Sequence, residues 1–340
     1  MSSTRPTITD LARSLGLSKS AVSNALNGRP GVSEATRERV RAAAEGTGWR
    51  PNALARALST GHAGAFGLCI ARDSGVLGSE SYYQRVIAGI EEVLIDSEHA
   101  LLLRLVGGPG RDLDVYRRWA GERRVDGVCL FDLTADDPRP ALVAELGLPA
   151  VIQGSLADSP HPVVTGDTDA EAALVVDHLV ERGARRLVML HGPSSFTHES
   201  ERVQAVRVAA DRGRLPLRLV ETDYSQRAGH QHGRDLMAEG WADAVITSND
   251  LLAVGVMSAT QEGFSGPVAS LDEPGSGPRV ISWDDSLLCA YVRPGITALD
   301  RHPQAVGRQV ARLLLAQVRG ESVEPEPTPV TLVVRGSTDE

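Results

Sequence analysis

From residue 64 onward the chain alternates apolar, strand-like runs with stretches of helical periodicity. The apolar runs cover residues 66–71, 101–106, 127–131, 150–153, 186–191, 244–247 and 280–283, and the helical stretches cover about 82–97, 112–124, 169–183, 199–212, 227–239, 250–263 and 303–319. This β-α alternation predicts parallel sheets covered by helices. Because about 275 residues exceed what one hydrophobic core holds, we expect two α/β lobes.

The first 46 residues have a different pattern, that of three short helices. Thr7 and Asp10 have the spacing of a capping box, and an apolar stripe at helical spacing follows them. Gly16 can adopt the positive φ that ends a helix, and Ser18 and Ser33 are placed to cap a second and a third helix. Two short helices joined by a turn that contains glycine are typical of a helix-turn-helix.

A short segment of strong helix formers links these two regions. It begins at Pro51 and ends at Gly61, and a helix of this length is marginal in water on its own. We therefore predict a helix-turn-helix domain at 1–49, a hinge helix at 50–61 and a core at 62–340. The predicted lobes of the core are residues 62–164 with 294–322, and residues 165–293 with 323–340.

Charge is divided unevenly along the chain. Residues 1–60 contain nine basic and four acidic residues, a net charge of +5, whereas the remainder contains 26 basic and 40 acidic residues, a net charge of −14. This asymmetry indicates that only the N-terminal region meets a polyanion. No apolar run approaches the ~20 residues that span a bilayer, and the N-terminus lacks the apolar core of a signal peptide. We expect a cytoplasmic protein without membrane contact.

Motifs throughout the chain carry a resemblance to a known family. They include Thr7-Ile8-Thr9-Asp10-Leu11-Ala12, Gly16-Leu17-Ser18-Lys19-Ser20-Ala21-Val22-Ser23, Gly48-Trp49-Arg50-Pro51-Asn52, Ser248-Asn249-Asp250-Leu251-Leu252-Ala253-Val254-Gly255 and Trp283-Asp284-Asp285. In these the chain resembles the lactose-repressor/galactose-repressor (LacI/GalR) family over nearly its whole length. The resemblance implies an all-α helix-turn-helix domain and hinge helix joined to a two-lobed, periplasmic-binding-protein-like α/β core. It also implies a homodimer that represses from a palindromic operator under the control of a small effector, with a sugar or sugar derivative expected.

The second helix carries the residues expected to read DNA. Lys19, Ser20 and Asn24 lie on the side opposite its apolar residues, where lysine can reach guanine and asparagine can bond adenine in the major groove. Many family members have an arginine where this chain has Asn24, so the operator can differ at that base pair. Phosphate contacts are expected from Thr7, Ser18, Ser23 and Asn27. Without the surrounding motif, a merely solvated polar face would be the simpler interpretation.

The hinge adds a second contact with DNA by resemblance. Leu58 matches a leucine that wedges into the central base step of the minor groove, and Asn52, Ala55 and Arg56 match positions that approach the groove and backbone. The alternative interpretation of Leu58 is a core residue between the lobes.

The resemblance also assigns effector contacts. Tyr82 and Tyr83 match aromatic contact positions, Arg202 matches an arginine that binds effector hydroxyls or a carboxylate, and Tyr224 matches a stacking ring. The complete predicted set is Tyr82, Tyr83, Phe196, His198, Arg202, Tyr224, Asn249, Asp284 and Arg301. The tyrosines could instead be packing aromatics, Asp284 a structural cap, and Asn249 with Asp250 the cap of a following helix. Gln153 replaces an aspartate found in many relatives, which leaves that sugar contact open.

Other classes of protein have less support. The sequence has no nucleotide-binding glycine motif, zinc-protease motif or serine-hydrolase elbow, so we predict no catalytic residues, no cofactor and no metal site. Cys69, Cys129 and Cys289 have neither metal-ligand nor disulfide spacing and are expected to be buried thiols. A corepressor-dependent regulator with a nucleobase or other metabolite ligand, and a stand-alone ligand-binding protein, remain alternatives.

The wedge role of Leu58 leads to a prediction for Leu58→Ala. The substitution should weaken specific operator binding strongly and leave non-specific binding nearly unchanged, because only the bent, specific complex gains from the wedge. Affinities for operator and scrambled DNA at one fixed salt concentration provide the measurement. An equal loss on both DNAs would contradict the wedge.

Overall fold

The computed structural model of the chain describes residues 6–26, 30–47, 49, 61–72, 78, 80–97, 99–108, 110–262 and 277–339. The chain forms two compact units, Met1–Ala63 and Gly64–Glu340, which we call the head and the core. No helix within the described ranges is both long enough and apolar enough to cross a bilayer.

In its described residues the head contains α1 (Ile8–Leu15), α2 (Lys19–Leu26) and α3 (Glu34–Thr47). The predicted capping box is confirmed, since the Asp10 N–H donates to Thr7 Oγ1 and the Thr7 N–H donates to the Asp10 carboxylate at 3.0 Å. Gly16 ends α1 with a φ of 64°. Ser18 and Ser33 accept hydrogen bonds from backbone N–H groups three residues on, at 3.1 and 3.3 Å. A small apolar core formed by Leu11, Ala12, Val22, Ala25, Val40 and Ala44 holds the three helices together.

The first lobe of the core is built on a parallel five-stranded sheet with the order β2-β1-β3-β4-β5. Its strands are β1 (Ala65–Ile70), β2 (Ala100–Leu105), β3 (Gly127–Leu130), β4 (Ala150–Gln153) and β5 (Val163–Val164). Its helices between the strands are α4 (Ser81–Leu94), α5 (Asp112–Gly121) and α6 (Arg139–Glu145). The central strands β3 and β4 are almost wholly apolar because helices cover both of their faces.

The second lobe contains a six-stranded sheet with the order β11-β10-β9-β8-β6-β7. Its strands are β6 (Leu187–His191), β7 (Leu217–Glu221), β8 (Ala244–Thr247), β9 (Arg279–Ser282), β10 (Thr297–Asp300) and β11 (Thr331–Val333). Its helices are α7 (Thr168–Glu181), α8 (Thr197–Arg212), α9 (Gln226–Glu239), α10 (Asp250–Glu262) and α11 (Leu287–Tyr291). All neighbouring strands are parallel except β10 and β11, which pair antiparallel at the edge.

The chain passes between the lobes more than once. After β10, helix α12 (Pro303–Arg319) returns to the first lobe, where Val310 and Leu314 join the same apolar cluster as Val86 and Ile90 of α4. The prediction that residues 294–322 belong to the first lobe is therefore wrong for residues 297–300. Strand β10 pairs with β9 and β11, because Ala298 and Leu299 are buried among second-lobe side chains.

The predicted strands and the observed ones agree closely in the centres of the sheets. The seven predicted runs match β1, β2, β3, β4, β6, β8 and β9 to within one residue at each end. The unpredicted strands are β5, β7, β10 and β11. They are short or lie toward sheet edges, as β7 does with its exposed Arg218 and Glu221, so they lack the continuous apolar run that marks a central strand.

Glycines allow two pairs of helices to cross at close range. A Cβ atom on Gly89 of α4 would lie 2.0 Å from the Gln304 carbonyl oxygen, and one on Gly307 of α12 would lie 2.1 Å from the Val86 carbonyl oxygen. The second lobe repeats this arrangement where α9 crosses α10, through Gly229 and Gly255. These crossings position α4 and α10, whose N-terminal ends carry side chains of the candidate site.

Gly89→Ala tests the first crossing. The added methyl group must push α12 away, so we expect the free energy of unfolding of the core to fall by about 1–3 kcal/mol or more. Urea denaturation followed by circular dichroism measures the change. Gly121→Ala is the matched control, because a Cβ atom there meets no atom within 4 Å. A similar loss in both variants would show that the close crossing is not the cause.

Candidate functional site

The described part of the head presents a polar face on α2. Lys19 and Ser20 are exposed, whereas Ser23 and Asn24 are half-buried beside the buried Val22. The hydroxyls of Ser18 and Ser20 hydrogen-bond each other at 2.9 Å at the start of the helix. The first turn of α2 contains no acidic residue, so the positive end of the helix dipole is not neutralised from within that turn.

Of the remaining residues predicted to contact DNA, only some lie among the described residues. Thr7 is exposed, and its hydroxyl donates to the Asp10 carboxylate at 2.7 Å while capping α1. The others, Asn27, Asn52, Ala55, Arg56 and Leu58, lie outside the described residues.

A cavity of about 100 Å³ lies in the core where strands of both sheets end. Arg72 and Asp132 follow β1 and β3 of the first lobe, while Asn249 and Asp284 follow β8 and β9 of the second. The carboxyl ends of parallel strands form the usual ligand crevice of α/β folds. Of the nine predicted effector residues, eight line this cavity: Tyr82, Tyr83, His198, Arg202, Tyr224, Asn249, Asp284 and Arg301.

Phe196 is the predicted residue that does not line the cavity directly. Its ring centroid lies 4.3 Å from Cζ of Arg72, and the ring stacks on that of His198 at a centroid distance of 5.6 Å. Arg72 also lies over Tyr224, with 5.0 Å between Cζ and the ring centroid. One face of the ring predicted to stack on the effector is therefore already occupied by a guanidinium from the other lobe.

Each arginine that lines the cavity is paired with a carboxylate. Arg72 Nε donates to Asp132 Oδ2 at 2.8 Å, and Arg301 donates to Asp284. Burial favours the neutral form of Asp132, but Arg72 and His198 outweigh it and lower the pKa of Asp132 to about 2. Asp132 also accepts a hydrogen bond from the Tyr83 hydroxyl. Asp132 therefore remains ionised and fixes Arg72 in place, while the carboxylate of Asp284 accepts from Arg301.

Arg202 is held by Glu199, which is completely buried. Arg202 Nη1 donates to Glu199 Oε1 at 2.8 Å, while the Gly192 N–H and the Ser248 hydroxyl donate to Oε2 at 2.8 and 2.6 Å. Burial opposes ionisation of Glu199, but Arg202, His198 and these donors lower its pKa. Glu199 thus joins α8 to the ends of β6 and β8 beneath the cavity.

Several predicted residues have structural contacts that define their orientation. Asn249 caps α10, since its Oδ1 accepts from the Leu252 N–H at 2.9 Å, and its Nδ2 donates to the Tyr224 carbonyl at 3.2 Å. Asp284 pairs with Arg301, while Ser286 caps α11. Tyr83 is only 3% exposed, and the Tyr82 ring lies 4.9 Å from Cζ of Arg301. Burial lowers the pKa of His198 to about 4, so its imidazole is neutral at pH 7.

Glu80 is a cavity residue that sequence reasoning missed. It precedes α4, and its carboxylate has no hydrogen-bond or ion-pair partner among the described residues. Burial, together with Asp132, Asp284 and Asp250, outweighs the opposing effect of Arg72 and raises the pKa of Glu80 to about 8. Within the described ranges, no cluster of three or more His, Cys, Asp or Glu side chains could hold a metal ion.

Comparisons with known proteins identify the two parts of the chain. A family model described as bacterial regulatory proteins of the lacI family matches residues 7–52, and a periplasmic binding protein-like domain matches residues 176–338. The HTH-type transcriptional regulator AglR of Rhizobium meliloti (strain 1021) is 30% identical over 344 residues, which cover 96% of this chain and 93% of AglR. The chain belongs to the LacI family.

Solved structures agree with this membership. The transcriptional regulator CelR in complex with cellobiose is 26% identical with a TM-score of 0.71, over 98% of this chain and 100% of CelR. The Lac repressor dimer bound to operator shares the fold with a TM-score of 0.84 at 23% identity, over 98% of this chain and 99% of the repressor chain. This LacI-family chain is a transcriptional regulator whose helix-turn-helix and two-lobed α/β core are both confirmed.

Several cavity residues of this LacI-family regulator were not predicted from the sequence. Most of them share a recognisable position at or directly after the end of a strand. Arg72, Asp132 and Ser248 each stand one or two residues after the end of a strand, and Gln153 is the last residue of β4. Polar residues directly after apolar runs are therefore candidates wherever the sheet is parallel. Glu171 comes instead from within α7, where it accepts from Trp283 Nε1 at 2.8 Å, and no local pattern marks it.

Glu80→Gln should change how stability depends on pH. The pKa of Glu80 is raised in the folded core, so the folded state keeps a proton that the unfolded chain loses. The free energy of unfolding therefore falls as the pH rises from about 4.5 to about 8. We expect the variant to raise the Tm of the core more at pH 8.5 than at pH 5, measured by thermal unfolding. Glu91→Gln, on the same helix, should shift the Tm equally at both pH values. A Tm gain independent of pH in Glu80→Gln would contradict a protonated Glu80.

Proposed function

We propose that this LacI-family chain is a cytoplasmic repressor that binds a palindromic operator as a homodimer and is released by a sugar or a sugar derivative. The observation that carries the effector part is the cavity between the two sheet edges, where arginines and tyrosines from both lobes converge. The exposed Lys19 and Ser20 of α2 support reading of base edges in the major groove.

The side chains around the cavity suit a polyhydroxylated ligand. Tyr82, Gln153 and Ser248 offer neutral donors and acceptors. Arg301 Nε is buried and has no acceptor among the described residues, so a ligand oxygen could accept its hydrogen bond. Aromatic rings beside a few fixed polar groups are the usual composition of a small-ligand site. CelR, a relative of this chain, was solved in complex with cellobiose, which supports a carbohydrate effector for this chain as well.

Release from DNA requires only that the two ligands prefer different arrangements of the protein. If the effector favours one arrangement of the lobes and the operator another, each weakens the affinity of the other by the same factor. That AglR and CelR are transcriptional regulators supports a non-enzymatic role for this chain. No catalytic step is assigned to the cavity residues.

A homodimer is supported by an apolar patch on α11. Leu287 is 74% exposed, Leu288 is 41% exposed and Tyr291 is 73% exposed, side by side on one short helix. Exposed apolar clusters of this kind mark contact surfaces, and a second copy of the chain can bury the same patch around a two-fold axis. A two-fold dimer explains why the expected operator is palindromic.

Operator binding in the presence of sugars tests the proposal. The affinity of the full chain for its own upstream region and for scrambled DNA is measured at one salt concentration, with and without a panel of sugars and nucleosides. We expect a preference for an upstream palindrome that one sugar abolishes. A compound that strengthens binding would establish a corepressor instead. The absence of any sequence preference under every condition would contradict an operator-binding role.

The double variant Leu287→Glu/Tyr291→Glu tests the dimer, because like charges on the patch repel their copies across a two-fold axis. Charges placed in the patch should shift the chain from dimer to monomer in sedimentation and weaken binding to the palindrome at least tenfold, because two half-sites are no longer bound together. Binding to a single half-site should change little. Val208→Glu, at a position that is 45% exposed on α8, is the control and should remain dimeric. A double variant that stays dimeric would show that this patch is not the interface.

A further inference from the structure

The charges that line the effector cavity do not balance. Arg72, Arg202 and Arg301 are the cationic groups among its described lining residues, because His198 is neutral. Five carboxyl groups line the same cavity: Glu80, which holds a proton at pH 7 because its pKa is raised to about 8, and Asp132, Glu171, Glu201 and Asp284. The described wall therefore carries an excess of negative charge.

Pairing within the wall uses up all three arginines. Arg72 is bound by Asp132 and Arg301 by Asp284, while Arg202 is bound by Glu199 from below the cavity. A ligand entering the cavity meets these arginines as neutralised pairs, whose remaining N–H groups can bind hydroxyl oxygens. They have little positive charge left to offset a phosphate or a carboxylate on the ligand.

Two carboxyl groups remain without partners. Glu80 of the first lobe and Glu201 of the second lobe line the cavity from opposite sides, and neither has a hydrogen bond or ion pair with any described residue. Glu80 also lies near a further acid, because Asp250, which is 2% exposed and accepts from the Ser81 hydroxyl at 3.3 Å, adds to the negative field there. The side chains of Glu80 and Glu201 are both half-buried, and a carboxylate partly withdrawn from water without a partner is destabilised, so a ligand that supplies a cation would stabilise it.

We propose that the cavity takes a polyhydroxylated ligand that carries an aliphatic ammonium group, an amino sugar, and that Glu80 binds the ammonium. This inference rests on the proposed function, because it specifies the effector of the same cavity. An ammonium brings one positive charge and three donors, which matches an unpaired carboxylate beside neutral hydroxyl and amide groups.

Other cations fit the cavity less well. A divalent metal ion would need a cluster of ligands, and the described residues contain no group of three or more His, Cys, Asp or Glu able to hold one. A linear polyamine would satisfy Glu80 but would leave the side-chain donors and acceptors of Tyr82 and Gln153 without a ligand partner. A polyhydroxylated ring uses both kinds of group, so an amino sugar is the ligand that the wall matches.

Matched pairs of sugars test the proposal by isothermal titration calorimetry on the full chain. The pairs are glucosamine with glucose, galactosamine with galactose, and mannosamine with mannose, with glucose 6-phosphate, glucuronate and spermidine as further probes. We expect at least one amino sugar to bind ten or more times tighter than its neutral counterpart. Glucose 6-phosphate and glucuronate should bind more weakly than glucose, because they meet the unpaired carboxylates.

Two variants identify the residue responsible. Glu80→Gln keeps the size of the side chain and removes its ability to ionise, so it should lower the ratio of amino-sugar affinity to neutral-sugar affinity at least tenfold. Glu91→Gln is the matched control on the same helix, about 16 Å further along its axis, and should keep the wild-type preference. Equal preference in wild type and Glu80→Gln would overturn the assignment of Glu80.

The remaining outcomes separate this inference from the proposed function. A neutral sugar that binds as tightly as its amino counterpart, or a phosphorylated or acidic sugar that binds most tightly, overturns the ammonium site but leaves a sugar effector in place. Binding of spermidine without any amino sugar overturns the sugar part and retains the ammonium. If no sugar of any kind binds, both the inference and the sugar effector fail.

Discussion

Parallel pairing of the strands is the constraint on which the rest of the core depends. In a parallel sheet all carboxyl ends lie at one edge, so the residues that follow successive strands collect there even when they are far apart in sequence. Arg72 and Asp132 meet in this way across 60 residues. In the second lobe Asn249 and Asp284 follow neighbouring strands for the same reason. The close crossings at Gly89 and Gly229 then hold α4 against α12 and α9 against α10.

The cost of burying charged groups explains why the arginines that line the cavity are each paired with a carboxylate. A guanidinium or a carboxylate is expensive to remove from water alone, and loss of one partner of a buried pair typically costs about 3–5 kcal/mol. Each of the three arginines that line the cavity is paired with a carboxylate, which offsets the cost of burying its charge. Glu199 also accepts hydrogen bonds from Gly192 and Ser248. The interlobe position of Arg72, between Asp132 of its own lobe and the rings of Phe196 and Tyr224, follows from the same requirement.

Local chemistry in the sequence was sufficient for the features that depend on neighbouring residues. The capping box at Thr7 and the turn at Gly16 are set by contacts within a few residues, and the central strands are marked by continuous apolar runs, so each could be predicted. Eight of the nine predicted effector residues line one cavity, which the family resemblance made possible. The partners of those residues could not be predicted. The pairing of Arg72 with Asp132 and the isolation of Glu80 depend on how two sheets face each other. The lobe of β10 could not be predicted because this short strand lacks a continuous apolar run and pairs with β11, which follows only after α12.

The path of the chain between the lobes has a further consequence. Because α12 packs in the first lobe while β10 and β11 on either side of it complete the second sheet, neither lobe is a continuous piece of sequence. A truncation that removes the residues after Asp300 would strip a helix from one lobe and an edge strand from the other at the same time. The two lobes are therefore expected to unfold as a single cooperative block, to resist separation by proteolysis, and to be inherited together rather than exchanged as independent modules.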